Sequence, residues 1–181
     1  MRLSLFAHDA GVSVDGPHRI VYDIEANAAH VAPAQVAGRA LVWELSDAAE
    51  PPEGALLSAA VDLEPATDWI MRCDRIDFVP GGVAYRHTHP GPGIRCLLFG
   101  RITIDSEGSE HTYGPGEPWF ERGPDPVLAT THPDEPSAFA RVMLLPAEWA
   151  GKRTIAYVDP ADAEKPKTQR PTVFLEHPVQ R

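Results

Sequence analysis

From Leu56 onward the chain is a succession of short apolar stretches broken by turn residues: LLSAAVDL, WIMRCDRIDFV, IRCLLFGRITI, EHTY, PWFE, PVLAT and AFARVMLL. Turn signals separate them, among them Pro80-Gly-Gly, Glu107-Gly-Ser and Gly114-Pro-Gly. Short runs bounded in this way read as strands. With no helical period between them, they predict an antiparallel sandwich or barrel rather than βαβ units, so the expected fold class is all-β. Upstream, Arg19–Ile24 and Ala40–Leu45 read as two further strands, separated by an alanine-rich stretch with no clear period. Residues 46–54, SDAAEPPEG, break structure with paired prolines and acids and form a loop or linker. The one helix signal comes late, with Asp159 as N-cap, Pro160 at the first helical position and Ala161–Lys165 as a single turn ahead of Pro166. Beyond it, Pro171–Glu176 is apolar and extended enough to add a strand to this sheet or to that of a neighbouring subunit.

Length and composition narrow this picture. A chain of 181 residues fits one domain, here with residues 1–55 as an N-terminal extension, 56–148 as the core and 149–181 as a tail. The 19 prolines and 14 glycines imply many turns and irregular connections, which argues against long helices. A formal charge of −10 at pH 7 disfavours a nucleic-acid backbone or an anionic membrane as a partner. The opening MRLSLFA is too short for a secretory segment or a membrane span, and a cytoplasmic location is expected. Cys73 and Cys96 are too few for a disulfide framework; in their apolar surroundings they are expected to be buried free thiols.

The chemistry concentrates in GGVAYRHTHPGPGIRCLLFG, residues 81–100. In an extended backbone His87 and His89 project from the same face of one strand, close enough to share a metal ion. Neutral imidazole suits iron, zinc, manganese or nickel when carboxylate or water completes the shell. The alternative is a surface loop with two incidental histidines.

This region resembles the first motif of the cupin superfamily, G(x)5HxH(x)3,4E(x)6G, with Gly81, His87, His89 and Gly100 at matching positions. The resemblance extends through a weaker second half, from about Gly108 to Pro146. It implies a small double-stranded β-helix, or jelly-roll barrel, with the site in the barrel mouth, to which the N-terminal strands and the short helix and strand of the tail read above are added. Two departures stand out. Gly93 occupies the position of the motif glutamate, and Pro126-Val127 stands where the second motif supplies a histidine.

By analogy with the family, residues two and four after the acid of Gly116-Glu117 face the interior, which nominates Trp119 and Glu121. His87, His89 and Glu121 would then form a two-histidine, one-carboxylate metal centre, unless Glu121 ends a strand in solvent or pairs with Arg122 or Arg101. Arg95, two residues beyond Gly93, would face inward and grip a substrate carboxylate in bidentate fashion, or else pair with Glu121 or an acid on a neighbouring strand. Tyr85 and Trp119 are the expected lining residues. His111 and His132 are weaker ligand candidates, one on a strand and the other in the loop Thr130–Pro136.

The function these residues imply is a divalent-metal-dependent enzyme, an oxygenase or a lyase or isomerase, acting on a small carboxylated compound. Its alternatives are a non-catalytic ligand-binding or sensory cupin, and a metal-free isomerase or epimerase with a histidine base. Because cupins commonly pair, a homodimer is expected, with the N-terminal strands and Thr172–Leu175 available to cover or exchange edges.

Overall fold

The computed structural model describes residues 1–180. The first seven strands are β1 (Arg2–His8), β2 (Val12–Val14), β3 (Arg19–Asp23), β4 (Ala28–Val31), β5 (Ala34–Val36), β6 (Ala40–Ser46) and β7 (Leu57–Ala60). Five of them form an antiparallel sheet in the order β4-β3-β6-β1-β7, and β2 pairs with β5 separately. The strands read at Arg19–Ile24 and Ala40–Leu45 are β3 and β6, and they pair with each other. The alanine-rich stretch between them also becomes β4 and β5. Leu57–Ala60, assigned from its sequence to the core, instead pairs with β1, so the barrel strands begin at Trp69.

The next eight strands are β8 (Trp69–Phe78), β9 (Val83–Thr88), β10 (Gly93–Phe99), β11 (Ile102–Ser106), β12 (Ser109–Tyr113), β13 (Pro118–Glu121), β14 (Val127–Thr131) and β15 (Ser137–Pro146). Their antiparallel pairing is nested: β8 with β15, β9 with β14, β10 with β13 and β11 with β12. Such nesting folds one long hairpin over on itself and gives the jelly roll. At the turn between β10 and β11, Gly100 has φ +80, and a Cβ there would stand 2.3 Å from Ser137 Oγ. That hydroxyl donates to Arg101 O and accepts from Arg101 N, which ties the turn to β15.

The tail completes both sheets. A strand β16 (Ala156–Tyr157) joins β9, and β17 (Gln169–Pro178) runs along β8 of its own chain. The expected helical turn is a single 3-10 turn, Pro160–Ala163, with the Asp159 carboxylate accepting from Ala161 N at 2.9 Å. The two barrel sheets are thus β13-β10-β15-β8-β17 and β12-β11-β14-β9-β16. No helix among the described residues is long and apolar enough to cross a membrane.

The first of these sheets is covered on both faces, so its strands read as near-continuous buried runs. On one face Met71, Cys73, Ile94, Ala140, Val142 and Leu144 pack against Leu3, Leu5, Ile20, Tyr22 and Trp43 of the N-terminal sheet. Trp43 Nε1 donates to Ile94 O at 3.1 Å, which satisfies the buried indole. Both cysteines are buried and free. Burial pushes the Cys73 thiol well above its usual range and the Cys96 thiol up to about 12, so neither supplies thiolate near neutral pH.

Candidate functional site

The other face of the same sheet carries the opposite set of side chains, because successive residues of a strand alternate between faces. Along β8 the inward residues are Arg72, Asp74, Ile76 and Phe78, and along β15 they include Phe139 and Arg141. The strand register sets Asp74, Arg141, Arg95 and Trp119 side by side in one row, and Ile76, Phe139 and Leu97 in the next. Between this face and the second barrel sheet lies a cavity of about 870 Å³. Charge gathers at one end of it, where Arg72, Asp74, Arg141, His87, His89 and Glu121 converge. The other end is apolar, with Ile76, Phe78, Ala84, Ile104, Ala129 and Phe139.

His87 and His89 do share an inward face, with ring centroids 4.9 Å apart at 82° and both side chains buried. His87 Nδ1 lies 2.7 Å from Tyr85 O, which fixes the proton on Nδ1 and leaves the Nε2 lone pair facing the cavity. His89 Nδ1 lies 3.1 Å from Thr154 O, and its Nε2 accepts from Arg141 Nη1 at 3.3 Å. Burial lowers the pKa of His87, partly offset by Glu121. It lowers that of His89 well below the ordinary 6.5, with Arg141 and Arg95 pushing in the same direction. Both rings are therefore neutral near pH 7.

Two ion pairs stand behind the histidines. Asp74 holds Arg141 at both ends, Nε to Oδ1 at 2.6 Å and Nη2 to Oδ2 at 3.1 Å. Glu121 accepts from Trp119 Nε1 at 2.8 Å and stands 2.7 Å from Arg95 Nη2. Arg95 is fully buried; its Nη1 donates to Gly93 O at 2.6 Å, while its Nε has no partner among the described residues. Burial drops the Arg95 pKa to about 10, against the opposing pull of Glu121, so the guanidinium remains charged.

These contacts decide between the alternatives left open by the sequence. Arg95 pairs with Glu121 and does not line the cavity, so it positions Glu121 rather than reaching a ligand. Trp119 and Glu121 do line it. Tyr85 does not. A bulge sets Val127 against His87 but Ala129 against Ala84, so one extra residue of β9 interrupts the alternation and Tyr85 turns away from His87. Instead, Tyr85 lies under Lys165 Nζ, 4.3 Å from the ring centroid. His111 is exposed on β12 against Tyr113, and His132 accepts from Asp134 N in its loop; neither lines the cavity.

The donor set does not fit the two-histidine, one-carboxylate centre. The His89 Nε2 lone pair is taken by a guanidinium, both Glu121 oxygens are engaged, and Val127 stands opposite His87 where the family motif supplies a histidine. No group of three histidine, cysteine or acidic side chains able to hold an ion occurs among the described residues. Gly93, at the position of the motif glutamate, has no room for a side chain: a Cβ would lie 2.5 Å from Val142 O.

Sequence reasoning missed Arg72, Asp74 and Arg141. The available signal was charge at alternate positions inside the apolar runs WIMRCDRIDFV and AFARVMLL, since charged residues are rarely fully buried without a partner. The covering segment was also missed. Arg72 donates to Trp149 O at 2.6 Å and Lys152 O at 2.9 Å and pairs with Glu176, which anchors residues 149–155 across the charged end.

No family model and no curated protein matches the chain in sequence. In structure it is similar to the polyketide cyclase RemF from Streptomyces resistomycificus, at 20% identity and TM-score 0.40, over 52% of this chain and 63% of that one. It is similar to a Cupin 2 conserved barrel domain protein from Salinispora arenicola, at 19% identity and TM-score 0.37, over 43% and 65%. An oxalate oxidase in complex with the substrate analogue glycolate matches at 17% identity and TM-score 0.38, over 86% and 87%. The chain spans less than two thirds of the first two proteins. Its own strand pairing carries the fold: nested β8 to β15, with His87 on β9 and His89 just beyond it turned inside the sandwich, make this chain an all-β jelly roll of the double-stranded β-helix type.

Proposed function

We propose that this chain takes a small carboxylated molecule into the barrel and exchanges a proton with it through His87, in an isomerase or lyase type of reaction that needs no resident ion. The observation that carries this reading is the unequal state of the two histidines. His89 is spent on Thr154 O and Arg141, whereas His87 keeps a neutral, oriented Nε2 open to the cavity. A buried neutral imidazole with a fixed tautomer is the form a general base requires. Arg141 is held rigid by Asp74 and retains N–H groups beyond the three bonds it makes, which suits a carboxylate ligand. Its positive charge also favours negative charge developing on the substrate as His87 Nε2 removes a proton.

The test is deuterium uptake from heavy water, followed by proton NMR, across a panel of small 2-oxo and 2-hydroxy acids with chelator-treated protein. Exchange above the buffer rate is expected for at least one acid, and His87→Gln should abolish it while ligand binding persists. Arg141→Met should weaken binding itself. Exchange that vanishes on chelation, or survives His87→Gln, would overturn the proposal. Binding without exchange would leave a ligand-binding module in its place.

A further inference from the structure

The cavity holds more than a carboxylate requires. Inward positions of β8 run from Arg72 through Asp74 and Ile76 to Phe78, a change from charged to apolar over roughly 20 Å of strand. The neighbouring strand repeats the gradient, with Arg141 followed by Phe139. At the apolar end the rings are arranged as walls: Phe78 and Phe139 have centroids 6.1 Å apart, and Trp119 meets Phe139 edge-on at 5.2 Å and 75°. Facing them, the second sheet contributes the small Ala84 and Ala129 beside the larger Ile104 and Val127, and the two alanines leave space open against the rings. A cavity near 870 Å³ falls at the upper part of the range for drug-sized ligands, and a two-carbon acid would leave most of its apolar lining against water.

We infer that the ligand is an amphipathic acid with an aromatic or branched apolar body, its carboxylate at Arg141 and its body between Phe78, Phe139 and Trp119 over Ala84 and Ala129. This rests on the carboxylate reading above and adds the other half of the molecule. Offset and edge-on ring contacts favour an aromatic body over a flexible chain of equal size. The charged end offers a polar head its partners, whereas the apolar end is lined by Ile76, Ile104 and Ala129, with Gln169, opposite Phe78 on β17, as a polar side chain beside them.

Isothermal titration with hydrocinnamate, acetate and the neutral hydrocinnamamide separates the two halves. Hydrocinnamate should bind at least about tenfold more tightly than acetate, as expected from burying a phenyl group. Ala129→Leu, which fills the space between the rings, should remove that advantage and leave acetate unchanged. Ala84→Val is the second filling variant, with thermal melts showing which of the two remains folded. Equal affinity for acetate and hydrocinnamate, no hydrocinnamate binding at millimolar concentration, or an equal effect of both filling variants on the two acids would overturn the inference. If hydrocinnamamide binds as tightly as hydrocinnamate, the apolar slot stands and the carboxylate reading fails.

Discussion

The two faces of the sheet β13-β10-β15-β8-β17 are built from alternate residues of the same strands, and both are buried, yet they obey different chemistry. Toward the N-terminal sheet, Met71, Cys73, Val142 and Leu144 make a dry apolar core. Toward the cavity, Arg72, Asp74, Arg95 and Arg141 are nearly inaccessible as well. The first face is favourable through the apolar area it removes from water. The second must offset the desolvation of ions, which pairing repays only when geometry is good. A chain selected for stability alone has no need of the second face, which is the physical reason the proposed function is placed in its cavity.

The sharpest way to break this comparison is to remove one member of a pair. Asp74→Ala leaves the buried Arg141 uncompensated and should cost about 3–5 kcal/mol in urea unfolding. The double replacement Asp74→Leu with Arg141→Met should restore stability to within about 1 kcal/mol of the parent or exceed it, while ligand binding is lost. If the double variant is no more stable than the single one, the pair is structural and the contrast between the faces disappears. On the dry face Leu144→Ala should cost about 2–5 kcal/mol through the cavity it leaves, with ligand affinity unchanged in the folded fraction.

A smaller effect separates the faces by pH. His87 and His89 titrate below the ordinary 6.5 in the folded protein, both chiefly through burial. Below that value the unfolded chain takes up protons that the folded one refuses. Their contribution is therefore complete above 6.5 and is lost as pH falls toward the folded values. Urea midpoints from about pH 7.5 to about 5.5 should decline, and His89→Gln should flatten the decline; an unchanged slope would show that the ring is not held neutral. Leu144→Ala should lower the whole curve without changing its slope.

The same two faces explain what could be read from the sequence. β3, β6, the jelly-roll turns and the His87-His89 pair are local signals, carried by alternation and by glycines at fixed spacing. Glu121 and Trp119 follow from the same alternation, counted from the Gly116-Glu117 turn. Tyr85 fails that count because one extra residue in β9 shifts the parity, and a bulge leaves no mark in a hydrophobic pattern. Arg141 and Asp74 are 67 residues apart and become partners only through the β8–β15 register. Their charge was visible in the sequence; the pairing was a property of topology. The cover over His89 was equally hidden, since a backbone carbonyl at Thr154 has no sequence signature.

The gentlest test concerns attraction rather than contact. The C-terminal segment places Lys152, Arg153 and Lys167 along the cavity, and none has a carboxylate partner among the described residues. Tyr157 stabilises two of them: the Arg153 guanidinium lies 5.6 Å and the Lys167 ammonium 4.5 Å from its ring centroid. On a chain of net charge −10 these cations form a local positive field along the cavity that the proposed anionic ligand would enter. Lys152→Glu with Arg153→Glu should slow hydrocinnamate association by about threefold to tenfold at low salt in stopped-flow tryptophan fluorescence, and the gap should close at high salt. Dissociation should stay the same, because steering acts on the approach and not on the bound state. A change confined to dissociation would mean that these residues touch the bound ligand, and the polar end of the cavity would then extend past Arg141 to the covering segment.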